Sequence, residues 1–369
     1  MNINIEGKTP ELPSNRLYNL DYLRGIAAFG IMIFHLLSWS YGYFTSESFF
    51  GRVGVYGVSV FYVLSGLTLF YVYYDKMEFN KADIVSFFKK RIFRIYPLLW
   101  LVILLSLILT FRFPEPQKLF LNLTGLFGFV SWDQYYSTGL WSIGNELVFY
   151  AFFPVFILLL KNSKTMMVIL SLLLLGIFLF FSFNILNTGK TLSAQWRNYV
   201  NPLNQVFLFL GGFLIGYFFK FVLIKNYQVI LLLITALAVF VFFPVHGERV
   251  NLVVGIPRMV FTACCFAICL AFFKLRLKFP DFLHQPLTML GEASYSVYLL
   301  HPLVWKIFYL FSKGMLKYFS IQIPQWILII GAGVISLIVS YYIYQKFEKY
   351  FIKLGRKPWL RSSSAAKPA

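Results

Sequence analysis

Ten stretches of this chain are apolar for long enough to cross a lipid bilayer, and this limits the fold more than any other feature. They run over about residues 18–40, 53–74, 94–111, 141–160, 166–183, 203–221, 227–244, 252–273, 289–311 and 325–345. A helix needs roughly 20 apolar residues to span a hydrocarbon core about 30 Å thick. Backbone amides inside that core must pair within their own segment, so such spans fold as helices. Only 13% of the residues are charged and 59% are hydrophobic, and soluble domains carry about twice that share of charge. The expected fold is all-α: a polytopic membrane protein with about ten transmembrane helices around a central polar channel. A weaker apolar piece at 119–131 is expected at the surface or re-entering the bilayer. No internal repeat relates the two halves of the chain.

The spans divide the chain into a polar N-terminal segment, 1–16, a membrane domain, 17–345, and a basic tail, 346–369. No cleavable signal peptide is visible. The net charge of +19 does not point to nucleic acid, because no basic stretch is interleaved with exposed aromatics. Lys and Arg instead follow orientation rules. With the N-terminus in the cytoplasm, the loops on that side hold more than twice as many as those opposite, so both termini are expected to be cytoplasmic. The tail alternates basic and apolar residues and is expected to rest on the cytoplasmic leaflet and its anionic lipid.

Against this background, a few polar residues inside the spans carry the chemical signal. Arg24 and His35 lie eleven residues apart in the first span. Eleven residues are close to three full turns, so both side chains share one face, roughly 16 Å apart. A charge at mid-span costs roughly 2.5–3.5 kcal/mol to insert, which marks such residues as functional candidates facing a protein interior. Asp21 can pair with Arg24 or cap the helix start. Glu146 falls five residues past Trp141; counted from the outer surface it is roughly 8 Å deep, close to the expected depth of His35. A carboxylate and an imidazole at one depth suit an orienter and a base. Ser142 and Asn145 share its turn. Arg91 and Arg94 open the third span on one helix face, and paired guanidinium forks suit phosphate. Ser294, Tyr298 and His301 form a stripe in the ninth span, with Tyr295 beside it. Cys264, Cys265 and Cys269 lie together in one apolar segment and read as packing residues. No His or carboxylate pair sits at metal-ligating spacing, so no metal is expected.

In this order the motifs resemble the acyltransferase-3 family of integral membrane acyltransferases, over about residues 17–345. Its arginine–ten residues–histidine motif stands as Arg24 and His35, and its arginine–two residues–arginine motif as Arg91 and Arg94. Its serine-to-glutamate motif stands as Ser142 to Glu146, with Ile143 where leucine is usual. Its late Ser-Tyr-x-x-Tyr-Leu-x-His element stands as Ser294, Tyr295, Tyr298, Leu299 and His301.

The resemblance implies transfer of an acyl group, most often acetyl, from cytoplasmic acyl-CoA to a hydroxyl of an extracytoplasmic carbohydrate. O-antigen, exopolysaccharide or a lipid-linked glycan are such acceptors, and a bacterial inner membrane is the expected location. Acetyl-CoA enters as donor substrate, and the chain resembles the stand-alone form lacking a C-terminal hydrolase-like domain. In the scheme implied, Arg91 and Arg94 hold the donor phosphates, and Tyr298 and His301 line the donor's path. His35 acts as general base or acyl carrier, and Glu146 orients it. Arg24 neutralises phosphate or a developing oxyanion. A transporter of a lipid-linked glycan or small anion is the alternative, although the paired broken helices and inverted repeats common in transporters are not seen.

Overall fold

The computed structural model describes residues 17–111, 113–276 and 279–357. The N-terminal segment 1–16 and the tail residues 358–369 lie outside the described residues. The chain runs through α1 (Tyr18–Tyr41), α2 (Phe49–Tyr73), α3 (Lys81–Thr110), the short α4 (Pro116–Thr124) and α5 (Phe127–Val130), and α6 (Leu140–Asn162). It continues through α7 (Lys164–Phe180), the one-turn α8 (Trp196–Tyr199), α9 (Pro202–Phe219), α10 (Asn226–Phe242) and α11 (Gly255–Lys274). It ends in α12 (Asp281–Glu292), α13 (Ser294–Phe319), α14 (Gln325–Ile343) and α15 (Lys349–Arg356). No strand occurs among the described residues, and the protein is an all-α, multi-pass membrane protein.

Among the described residues, eight helices are long and apolar enough to cross a membrane: α1, α2, α3, α6, α7, α9, α11 and α14 with its extension. The other two expected spans differ for visible reasons. Helix α10 has 17 residues, and the ninth span is broken at Ala293, between α12 and the 26-residue α13. The expected piece at 119–131 becomes α4 and α5. Helix α4 packs on α3 and α5, and α5 packs on α6, where the backbones of Gly128 and Gly144 meet too closely to admit a Cβ.

Helix α2 is the hub, packed against α1, α9 and α11. Its contact with α9 is backbone on backbone. A Cβ on Gly66 would run into the Phe209 carbonyl, and one on Gly212 into the Val63 carbonyl. Small residues permit this approach, and in lipid the van der Waals contact it creates replaces the missing transfer from water. Phe149, Phe153, Phe209 and Phe213 fill the space beside it, mostly edge to face. Arg52, buried in α2, donates to the carbonyls of Phe240, Val241 and Phe243 at 2.6–2.8 Å. It thereby satisfies the exposed end of α10 and needs no carboxylate.

The end of the bundle where α1 begins is called the near end below, and the end holding Tyr41 the far end. Gly25 of α1 lies so close to α12 that a Cβ would stand 2.7 Å from the Gly291 nitrogen. Further along, His35 meets His301. Two contacts advancing in the same sense make α1 and α13 parallel neighbours. The described part of the tail, expected to rest on the cytoplasmic leaflet, packs against the helix bundle. Helix α14 passes through a π-bulge at Tyr344–Glu348 into α15, which packs along α3. Glu348 is buried and accepts a hydrogen bond from Ser296, which fixes the bulge.

Candidate active site

One cavity of about 1260 Å³ opens between these helices. Helix α3 supplies its cations because Lys90, Arg91 and Arg94 fall on the face turned toward α2 and α6. Arg91 donates to the Tyr73 hydroxyl at 3.4 Å, and its guanidinium lies 5.7 Å from the centre of the Tyr150 ring. Its Nε is buried without a partner. Arg94, half-buried in the cavity wall, makes no side-chain hydrogen bond with any described residue. Two guanidinium groups with open donors on one wall make a receptor for phosphate oxygens.

Arg24 also lines the cavity, held by Asp21 Oδ1 at 3.0 Å and by the Thr68 hydroxyl at 2.9 Å. Glu146 lies across from it. Its Oε1 accepts from Ser65 at 2.9 Å and from the Tyr150 hydroxyl, and its Oε2 has no hydrogen-bond partner among the described residues. Deeper in, the Ser142 hydroxyl is 2.8 Å from both the Gly139 carbonyl and the Tyr298 hydroxyl. Gly139 caps α6 at φ +93°, a left-handed conformation that glycine adopts without strain, and the Tyr298 ring packs against it.

Tyr298 and Ser142 are the last polar groups of the cavity wall in the direction of the far end. Neither His35 nor His301 lines the cavity. Both stand behind Tyr298, whose ring is 6.3 Å from that of His301. His301 Nδ1 is 2.8 Å from the Val297 carbonyl. A carbonyl only accepts, so Nδ1 carries the hydrogen, and Nε2 of the neutral ring keeps its lone pair. That Nε2 is buried and unpartnered. The His301 ring stacks on His35 at 5.4 Å, and His35 stacks on Trp39 at 4.9 Å. The result is a column of rings reaching the partly exposed Trp39.

The structure thus brings Arg24, Arg91, Arg94, Glu146 and Tyr298 into one cavity and pairs His35 with His301. It does not bring Glu146 to His35. Arg24 bonds Thr68 and Glu146 bonds Ser65, three residues apart on α2, so these two charged groups sit about one turn, roughly 4.5 Å, apart in depth. His35 lies about 12 Å further along α1 than Glu146. The depth counted from Trp141 does not carry over because the first turn of α6 is buried in the fold, with α5 packed against α6.

Some site residues gave little signal in the sequence. Ser65 and Thr68 look like ordinary small residues of a span. Tyr150 follows Glu146 by four and could have been found from that spacing. Lys349, Lys353 and Arg356 line the cavity from α15, and their spacing of four and three was readable, but their position against α3 was not. Among the described residues, no three His, Cys, Asp or Glu side chains cluster as metal ligands would. The three cysteines are free and buried in α11.

The family described as an acyltransferase domain matches residues 17–345. Curated relatives include proteins named O-acetyltransferase OatA from Staphylococcus aureus strains NCTC 8325, COL and MRSA252. Each is 27% identical over 351 residues, covering 85% of this chain. The chain spans about half of their length, 54%. No solved structure matches it.

Proposed function

The chain belongs to the acyltransferase-3 family, and from that premise we propose that it moves an acetyl or similar acyl group from acyl-CoA to a hydroxyl of a carbohydrate. In this reading the near end faces the cytoplasm of a bacterium, and the acceptor arrives at the far end. One observation carries the proposal: a single cavity runs from the cations of α3 to Ser142 and Tyr298, and an imidazole pair with an unpartnered nitrogen stands directly behind. The relatives' name, O-acetyltransferase, supports the same reaction class.

The roles follow from position. Arg91 and Arg94 hold the donor's diphosphate, and the pantetheine arm extends past Arg24 and Glu146. Arg24, fixed by Asp21 and Thr68, offers its remaining N–H groups to anionic oxygen in the cavity. Glu146 balances the three arginines and holds Ser65 and Tyr150 in place. At the deep end the Tyr298 side chain must swing for the thioester to meet the acceptor. His35 takes the proton of the acceptor hydroxyl, and the attacking oxygen then displaces the thiolate of CoA. His301 serves His35: its tautomer is set by the Val297 carbonyl, and its Nε2 lone pair is free to accept a proton passed along the stack. Anionic lipid and the glycan acceptor complete the set of partners, and the scheme uses no metal.

The test is direct. Purified protein in nanodiscs is given acetyl-CoA labelled in the acetyl group, with and without surface glycan from cells lacking the gene. Glycan-dependent release of CoA, with label appearing on the glycan, is expected. Glycan or anion movement into sealed proteoliposomes of the same protein, with no CoA release, would replace the transferase reading with a transporter.

A further inference from the structure

The cations of α15 have no task in the scheme above. Lys349, Lys353 and Arg356 share one helix face and line the cavity that Arg91 and Arg94 line from α3. Lys349 is engaged, 2.7 Å from Gln345 Oε1 and 3.8 Å from Glu292 Oε2. Lys353 and Arg356 are exposed and make no hydrogen bond or ion pair with any described residue. The nearby carboxylate of the mouth, Asp83, is taken up by the Glu78 N–H, at 2.8 Å, and by Asn80. The mouth is therefore left strongly positive.

The placement of α15 is built rather than incidental. A Cβ on Gly355 would lie 2.8 Å from that of Phe93, so glycine is what lets the helix press onto α3. Lys89 Nζ donates to the Lys357 carbonyl at 2.6 Å and fixes the helix end. Buried Glu348, held by Ser296, fixes its start. Because residue 357 meets 89 and residue 355 meets 93, α15 runs antiparallel to α3. This register sets Arg356 level with Arg91 and Lys353 level with Arg94, so α15 and α3 present cations from two walls of the same mouth. Two groups of cations face one opening from two sides. A diphosphate alone would occupy one of them. A ligand with a diphosphate and a separate phosphomonoester would occupy both.

We propose that Lys353 and Arg356 bind the phosphomonoester on the ribose of the donor, and so select 3′-phosphorylated CoA over its dephosphorylated form. This rests on the reading that the donor is a CoA thioester. The phosphomonoester carries close to two negative charges at neutral pH. A lysine and an arginine clear of competing carboxylates suit it better than the singly charged phosphates of a diphosphate.

The experiment compares binding and turnover of CoA and dephospho-CoA, and of their acetyl thioesters, by the full chain. It uses nanodiscs of neutral phosphatidylcholine and nanodiscs containing phosphatidylglycerol. The wild-type protein is expected to bind CoA at least about tenfold more tightly than dephospho-CoA. The double substitution Lys353→Gln, Arg356→Gln is expected to bring that ratio to within about twofold while leaving dephospho-CoA affinity unchanged. Equal wild-type affinity for the two compounds, or a variant that keeps the full ratio, overturns the inference. So does a variant effect confined to anionic nanodiscs, because the two residues would then be lipid anchors. Discriminating binding without any acyl transfer would instead sink the transferase reading and leave this site standing.

Discussion

The separation of Glu146 from His35 leads to a quantitative test. If the carboxylate oriented the imidazole directly, as the acid of a catalytic triad does, replacing it with an amide would lower kcat by about 10⁴-fold. At about 12 Å its influence is only a field. Two unit charges at that distance and an effective dielectric of about 20 interact by about 1.4 kcal/mol. Loss of that stabilisation of a protonated His35 lowers the rate by roughly tenfold. Glu146→Gln is therefore expected to reduce kcat at saturating donor by about tenfold or less. His301→Asn should behave differently. The asparagine amide can still donate to the Val297 carbonyl, so the buried acceptor stays satisfied and the protein should unfold near the wild-type temperature. The Nε2 lone pair is gone, and removal of a general base or proton relay lowers kcat by about 10²–10⁴-fold. The assay is steady-state release of CoA from acetyl-CoA with glycan present, with thermal unfolding of each variant alongside. A Glu146→Gln enzyme slower by about a thousandfold or more, beside a nearly normal His301→Asn enzyme, would refute this reasoning and restore the carboxylate as the partner of His35.

Arg24→Lys keeps the charge but can hold only one of Asp21 and Thr68. Losing one hydrogen bond to a charged group, about 1.5–3 kcal/mol, should lower kcat/KM for the donor by about 10- to 150-fold. Gly66→Ala drives a methyl group into the Phe209 carbonyl and should destabilise by about 1–3 kcal/mol or more in detergent unfolding. The control Gly176→Ala meets nothing within 4 Å and should be neutral or stabilising. At the far end, the Thr45 hydroxyl and the Gly247 N–H hold the exposed Glu47 carboxyl down from 4.5 to about 2. That contact stabilises fully above the unfolded value and is lost as pH falls from about 4.5 toward 2. Hydrogen exchange at the Gly247 amide should speed up over that window in the wild type and show no such step in Glu47→Gln.

Eight of the ten spans were legible from apolar length alone, whereas the break at Ala293 inside the ninth left that length unchanged. The helical repeat of about 3.6 residues grouped Arg24 with His35, and Ser294 with Tyr298 and His301. The depth of Glu146 was not legible, because depth counted from a span's first residue assumes that the span starts at a bilayer surface. The first turn of α6 is instead buried, and α5 packs on α6 by Gly128 against Gly144. The position of the tail was hidden for a related reason. Alternating basic and apolar residues suit a lipid surface and a protein groove equally, and the choice was made by three distant partners, Ser296, Phe93 and Lys89.

The same distribution of groups supports the direction proposed for the reaction. Every unpartnered guanidinium of the cavity lies toward the near end, and the imidazole pair lies beyond Tyr298 toward the far end. Arg249 stands at the far end against Phe34 and Tyr43 but does not line the cavity, so a phosphate-bearing donor entering there would have to carry its charges past the stacked rings before reaching a cavity guanidinium. Entering from the near end, it meets cations first and only its uncharged arm goes deeper. An acceptor hydroxyl, being neutral, can approach along the aromatic rings of Trp39 and His35 without that penalty. The charged and uncharged ends of one donor thus match the two halves of the fold in only one orientation. If donor added solely at the Trp39 face of sealed, oriented vesicles were consumed at the full rate, that match would be accidental and the assignment of the two ends would have to be reversed.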